Sequence, residues 1–236
     1  LKPDAAVDML ASAKMILKNR GIAKLTFGRD CGHFFPGCPS ECANLRDLLT
    51  IEGFESQSDA YDVMRDLVDY QCPDWVLAAK DEKDVAFRRA TEADRPALRK
   101  MLSAEFPGRW HYDVMQKCES EGEDADIILL LVDGQVEGFA MTQTAASRVP
   151  RAGAVWREDL GADWCALGPI GISRAVRGRR LGHALLASSL EILRDAGGRN
   201  CLIDWTTLLD FYGAHGFEVS RTYTNFTLDL AGLVPS

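Results

Sequence analysis

The sequence predicts an α/β (α+β) fold, a mixed central sheet flanked by helices, with a partial copy of the same arrangement at its N-terminal end. Three observations carry this. Apolar residues recur at helical spacing ahead of a glycine in two places, a short apolar strand follows each of these helices, and residues 127–142 read as strand, Asp-Gly turn and strand.

A chain of 236 residues with 47% hydrophobic and 26% charged content can bury one large core or two modest ones. Its apolar runs, such as residues 127–132, fall far short of the roughly 20 residues of a membrane helix, and the N-terminus lacks a basic, apolar, small-residue signal pattern. A soluble protein with no membrane partner is expected. The net charge of −8 argues against nucleic acid as a partner, since such binders carry a basic face, and it suits a small cationic substrate. Seven cysteines, an odd number without compact disulfide spacing, point to reduced thiols and a cytoplasmic or nuclear setting.

The repeat is explicit. Leu10-Ala11-Ser12, Ile16-Leu17 and Gly21 return at the same spacing as Leu186-Ala187-Ser188, Ile192-Leu193 and Gly197. Each predicted helix leads to a short strand and an aspartate, Asp30 or Asp204, and residues 45–55 (LRDLLTIEGFE) parallel residues 208–218 (LLDFYGAHGFE). Two copies of a helix–strand–helix–strand unit explain this economically, chance spacing being the alternative. One helix and two strands bury too little surface to stand alone, so the first copy is expected either to lean on the second or to belong to a longer polypeptide. Residues 68–83, polar and containing Cys72-Pro73, read as a connection. The expected division is residues 1–83, a partial lobe with its linker, and residues 84–236, a complete domain.

Within the second lobe, residues 87–90 read as a strand and Thr91 as the N-cap of a helix running to about Leu102, with Pro96 early enough to be tolerated. A further helix is expected over residues 111–120. Residues 167–173 (LGPIGIS) form an apolar strand, residues 174–183 a Gly/Arg-rich loop, and a helix follows to about Ala196. Such a strand–loop–helix aims backbone N–H groups and the positive helix end at one point, which suits a diphosphate. A solvated basic turn is the plain alternative.

Arg177-Gly178-Arg179-Arg180-Leu181-Gly182 resembles the (Q/R)-x-x-G-x-(G/A) pyrophosphate loop of the GNAT N-acetyltransferases, with Arg180 where that pattern has its middle glycine. Phe211-Tyr212-Gly213-Ala214-His215-Gly216-Phe217 resembles the FYxxxGF signature of the same family, after a fifth strand. Residues 27–39, which contain Gly28-Arg29-Asp30 and His33-Phe34-Phe35-Pro36-Gly37, resemble the GRDxxHFFPG segment of tandem-GNAT glucosamine N-acetyltransferases. Those include the transferase region of fungal multidomain β-N-acetylglucosaminidases of glycoside hydrolase family three.

The resemblance implies a GNAT fold over residues 84–236, a GNAT-like partial lobe before it, and acetyl-CoA as co-substrate lying between splayed fourth and fifth strands. It assigns Ile170, Gly171 and Ile172 to the pantetheine, and Arg177, Gly178, Arg179, Arg180, Leu181, Gly182 and His183 to the diphosphate. A main-chain N–H near Ile172 would then meet the oxyanion. Asp204 is the candidate base or ammonium holder, or else an N-cap for the helix after it. Tyr212 is the candidate acid toward the CoA thiolate, or else a core residue with an outward hydroxyl. Asp30, His33, Phe34, Trp110, Asp204 and Trp205 are the candidate contacts to a cationic sugar, ordinary packing being the alternative for each aromatic. Cys31, His33, Cys38 and Cys42 lack the spacing of a structural zinc module, so no metal is expected.

The expected activity is acetyl transfer to the amine of an amino sugar, D-glucosamine first. Acetylation of protein lysines such as histone tails, and a non-catalytic sensor of amino sugar or acetyl-CoA, are the alternatives. An upstream glycoside hydrolase domain and a second copy of the chain are the expected candidates for macromolecular partners.

Overall fold

The computed structural model describes residues 3–29, 35–149, 151 and 154–231. Its elements in chain order are α1 (Pro3–Asn19), β1 (Lys24–Phe27), β2 (Cys38–Pro39), α2 (Ala43–Ile51), β3 (Glu55–Asp66), α3 (Asp74–Lys80), β4 (Val85–Arg89), α4 (Arg95–Glu105) and α5 (Arg109–Glu119). They continue with β5 (Ile127–Val132), β6 (Gln135–Thr144), α6 (Arg157–Leu160), β7 (Cys165–Ile172), α7 (Leu181–Asp195), β8 (Asn200–Thr206), α8 (Leu209–Gly213) and β9 (Glu218–Asp229). The repeat reappears as an order of elements, α1–β1–α2–β3 and α7–β8–α8–β9. The glycine after each first helix, Gly21 and Gly197, takes a left-handed φ (73° and 91°), as a helix-terminating glycine does.

By compactness the chain divides into one unit of residues 1–61 with 220–236 and another of residues 62–219, so that β3 and β9 each run through a division. The sequence-based boundary lay at 83/84. In the smaller unit β1 pairs antiparallel with β9 from Lys24↔Asp229 to Phe27↔Phe226, and β2 pairs with β9 at Cys38↔Thr224. Its core joins Cys38, Leu49, Phe54, Phe226, Leu228 and Leu230, with Leu10 and Leu17 of α1 packed on it.

In the larger unit the strand order is β3–β8–β7–β6–β5–β4. The hairpin forms as expected: Asp133 and Gly134 both take positive φ (49° and 74°), the pairing of a two-residue turn whose twist matches its strands. Every residue of β5 is buried, as a strand covered on both faces requires. Ile127 and Leu129 share a core with Leu98, Leu102, Val114 and Met115 of α4 and α5, while α7 packs against β5, β6 and β7. Burial of each such side chain stabilises the fold by roughly 1.5–3 kcal/mol.

Thr91 and Asp94 form a capping box around the single turn Glu92–Asp94 that leads into α4. Two expectations need correction. The helix expected over 111–120 starts at Arg109, directly after Gly108 at φ 120°. The connection expected over residues 68–83 contains α3, whose Val76 and Ala79 are buried and whose Lys80 pairs with Glu191 of α7; its amphipathic DWVLAAK was outweighed by flanking polar residues. Among the described residues no helix is long and apolar enough to cross a membrane.

Candidate active site

β7 pairs with β6 along most of its length but with β8 at two positions alone, Cys165↔Cys201 and Ala166↔Leu202, so the two parallel strands part after their first rungs. Burial follows the parting. Cys165, Ala166 and Leu167 are buried, whereas residues 168–172 are half-exposed. The local cause is a bulge: where β6 advances from Ala140 to Thr142, β7 advances from Leu167 to Ile170, one residue more. A bulge bends its strand and raises its twist, and Pro169 within it brings no N–H to any ladder.

The Ser173 N–H donates to the Glu137 carbonyl on the β6 side at 2.7 Å. Alternation along an extended chain then directs the main-chain groups of Ile172 and Ile170 to the opposite edge, the one facing the gap. Gly171 answers to packing: a Cβ there would lie 2.5 Å from the Phe106 ring.

After β7 the chain makes one 3-10 turn, Arg174–Val176, and enters the loop that opens α7. None of the backbone N–H groups of residues 178–183 has an acceptor among the described residues. The first turn of any helix leaves such donors, and its aligned dipoles add about half a positive charge. Left-handed Gly178 (φ 84°) and Arg180 (φ 61°) turn the loop into a concave array of donors. Arg180 thus adopts the conformation that glycine would take freely, at a cost of about 1 kcal/mol.

The side chains of this loop divide. Arg179 is held by Glu82 and by Asp84 (2.9 Å), and the hydrogen bond from Arg179 keeps the Asp84 carboxyl below its ordinary range. Only its main chain is left to a ligand. Arg177 and Arg180 are exposed. His183 turns its Nδ1 to His215 Nε2 at 3.1 Å, and the His215 Nδ1 lies 2.9 Å from the Tyr70 hydroxyl. Trp75 and Phe211 flank His183 at 4.7 and 4.4 Å. Burial first, then His183 and Arg65, lower His215 to about 4; burial and then Arg180 lower His183. The pair is therefore neutral at pH 7.

Asp204 sits inside β8, half-exposed, with its Oδ1 3.9 Å from where a Cβ on Gly168 of β7 would be. It is no N-cap, which corrects one of the two expected readings. Trp205 and Thr206, both strand formers, carry β8 two residues further, and α8 starts at Leu209 with Leu208 at the cap. Trp205 has φ +51°, a left-handed conformation that costs a bulky residue about 1–2 kcal/mol, and its N–H donates to Asp62 Oδ1 at 3.3 Å.

Tyr212 of α8 is 6% exposed and meets Phe211 and Phe217 edge-on at 5.0 and 6.1 Å. Burial, then the charge of Asp204, pushes its phenol above the ordinary range, so it stays protonated. Gly182 completes the enclosure, 3.8 Å from Ile172 and from Phe211 when a Cβ is placed on it.

The structure thus brings residues 170–172, 177–183, Asp204, Trp205 and Tyr212 around the parting of β7 and β8. Trp110 of α5 packs on Phe106, the ring that covers Gly171, and on Phe139, at 5.4 and 6.4 Å. Asp30, His33 and Phe34 lie outside the described residues. Asp62, Tyr70, Glu82, Asp84, Phe106 and His215 were not anticipated at the site. Their partners lie far off in the chain, 143 positions in the case of Asp62 and Trp205, where spacing carries no signal.

Residues 95–217, just over half of the chain, match the acetyltransferase (GNAT) family. Among curated proteins no sequence match is found. One solved structure that resembles the chain is described as a GCN5-related glucosamine N-acetyltransferase region in a fungal multidomain GH3 β-N-acetylglucosaminidase. It superposes with a TM-score of 0.82 at 24% identity, over 92% of this chain and 27% of that one. A tandem GNAT protein from the clavulanic acid biosynthesis pathway superposes with a TM-score of 0.61 at 13% identity, covering 97% of this chain and 70% of that one. A GCN5-related N-acetyltransferase from Sphaerobacter thermophilus gives 0.58 at 15%, over 82% and 58%. This chain therefore spans about a quarter of the fungal protein and over half of the other two. At these identities the structures speak for the fold, a mixed sheet flanked by helices, and together with the match over residues 95–217 they make the chain a member of the GNAT acetyltransferase family.

Proposed function

We propose that the protein transfers an acetyl group from acetyl-CoA to the amine of an amino sugar, D-glucosamine first, by direct attack in a ternary complex. The observation that carries this reading is the gap between β7 and β8 beside six unpartnered N–H donors, with Asp204 and Tyr212 at its edge. The donor array fits a diphosphate, because main-chain amides converge there without losing any hydrogen bond of their own. Acetyl-CoA supplies an activated acetyl thioester.

Residues 178–183 grip the diphosphate through main-chain N–H groups, and the free edge of β7 at Ile170 and Ile172 pairs with the pantetheine amides. Asp204 accepts a proton from the substrate ammonium, freeing a lone pair to attack the thioester carbonyl carbon. The Ile172 N–H donates to the oxyanion that forms. As the C–S bond breaks, Tyr212 donates a hydrogen bond to the thiolate. Its raised pKa makes it a persistent donor and a reluctant acid, so net protonation of the sulfur can draw on the proton that the amine gives up.

The fungal neighbour's description as a glucosamine N-acetyltransferase region supports the acceptor, as does the net charge of −8, which favours a cation. That neighbour's hydrolase context likewise supports a glycoside hydrolase as a partner. Release of CoA thiol followed with glucosamine, with a histone-tail peptide and with neither tests the reading. Fast release with the sugar alone is expected; release with the peptide instead, or cofactor binding without release, would overturn it. Tyr212→Phe should lower kcat roughly 100-fold with little change in either KM. Unchanged turnover at every pH removes the phenol from the chemistry.

A further inference from the structure

Among the described residues, four other than glycine take a positive φ: Arg29, Asp133, Arg180 and Trp205. Asp133 serves a hairpin turn, where such geometry is routine, and Arg180 shapes the loop that opens α7. Trp205 lies inside a strand. It is also bulky, and no turn requires the conformation there.

Two features accompany it. Its N–H donates to a carboxylate oxygen of Asp62, a residue of β3 that is 1% exposed. Further, the burial along β8 departs from alternation, for Cys201, Leu202, Ile203 and Thr206 are buried while the neighbours Asp204 and Trp205 are both half-exposed. In a regular strand, consecutive side chains point to opposite faces. A left-handed residue interrupts that rule, and strained backbone of this sort persists only where its surroundings hold it.

We infer that Asp62 is a positioning residue of the acceptor site. It fixes Trp205 in its left-handed kink, and the kink lets the Asp204 carboxylate and the Trp205 indole reach the open end of β8 together. An acid beside an aromatic face is a pairing that recognises an ammonium on an apolar-faced ring such as an amino sugar. The acceptor part of this inference rests on the proposed function; the role of Asp62 toward Trp205 does not.

The test uses protein labelled with 5-fluorotryptophan, whose five tryptophans give five fluorine resonances, with Trp205→Phe assigning one of them. Asp62→Ala should move the Trp205 resonance and leave the other four in place. Asp62→Asn, whose amide oxygen can accept the same bond, should leave all five near their original positions. In turnover, Asp62→Ala should raise KM for glucosamine roughly tenfold with KM for acetyl-CoA unchanged, and this loss should vanish in a Trp205→Ala background. An unmoved Trp205 resonance, all five moving together, or additive losses in the double variant would each overturn the inference.

If Asp62→Ala does not fold, the same change in a Trp205→Gly background decides, because glycine adopts that φ without strain. Folding there supports the restraint and failure there overturns it. Should the unaltered chain not acetylate glucosamine, the acceptor reading falls, while the fluorine spectra still decide what Asp62 does.

Discussion

The two copies of the helix–strand–helix–strand unit differ most in their first helices. α7 has nine buried residues, among them Leu185, Leu186, Leu190 and Leu193, and packs against β5, β6 and β7. None of the described side chains of α1 is fully buried, and Met9 and Met15 are more than 60% exposed although the apolar spacing matches. The strands differ likewise: β8 carries four buried residues in seven, β1 none in four. Similar sequence spacing therefore produced one helix that anchors a sheet and one that rests on a small core. The difference lies in what each helix packs on, three strands of the larger sheet for α7 and the small core around Leu49, Phe54, Phe226 and Leu228 for α1.

The matching positions Leu10 and Leu186 give the sharpest test of this contrast. Leu186→Ala should cost about 3–5 kcal/mol by urea unfolding, since it empties a fully buried site, and Leu10→Ala only about 1 kcal/mol. Equal losses would break the comparison.

A second test uses His215, which has no counterpart imidazole in the first copy, where residue 52 is Glu. The folded imidazole protonates near 4 and the unfolded one near 6.5, so between these values the unfolded state binds the extra proton. Stability should be full above about pH 6.5 and fall as the pH drops toward 4, by roughly 2–3 kcal/mol, with little further change from this group below that. His215→Gln should flatten this part of the profile. An equally steep profile in that variant would assign the effect to other groups.

The smallest effect concerns the loop. Arg180→Gly should relieve up to about 1 kcal/mol of backbone strain, offset in part by the greater freedom of glycine in the unfolded chain. Acetyl-CoA affinity by calorimetry should then change by no more than roughly fivefold, because the main-chain donors remain. Loss of binding would mean that the guanidinium, and not the turn, was the working part.

Local signals were readable where local physics decides. The Asp-Gly hairpin took the expected form; Thr91 caps a single turn ahead of α4 instead of the helix itself, and α7 begins at Leu181, inside the stretch expected as loop. Asp204 was readable as a residue at the gap but not as a mid-strand one, because the continuation of β8 depends on Trp205 and on Asp62, 143 positions away. α3 was missed because seven residues with two buried positions give a weak helical period. Arg179 looked like a phosphate ligand from its neighbours alone; Glu82 and Asp84 could not be matched to it by spacing.

The rungs that β7 and β8 still share have a consequence for the fate of the thioester. Cys165, Ala166, Leu167, Cys201, Leu202 and Ile203 are each at most 2% exposed, and the Cys201 thiol is pushed well above its ordinary range by its hydrogen bond with Cys165 and by burial. They form a dry floor beneath the cleft. On the proposed function, that floor keeps water from an acyl donor on its own side, and an acceptor seated at the open side would add to the barrier against wasteful hydrolysis.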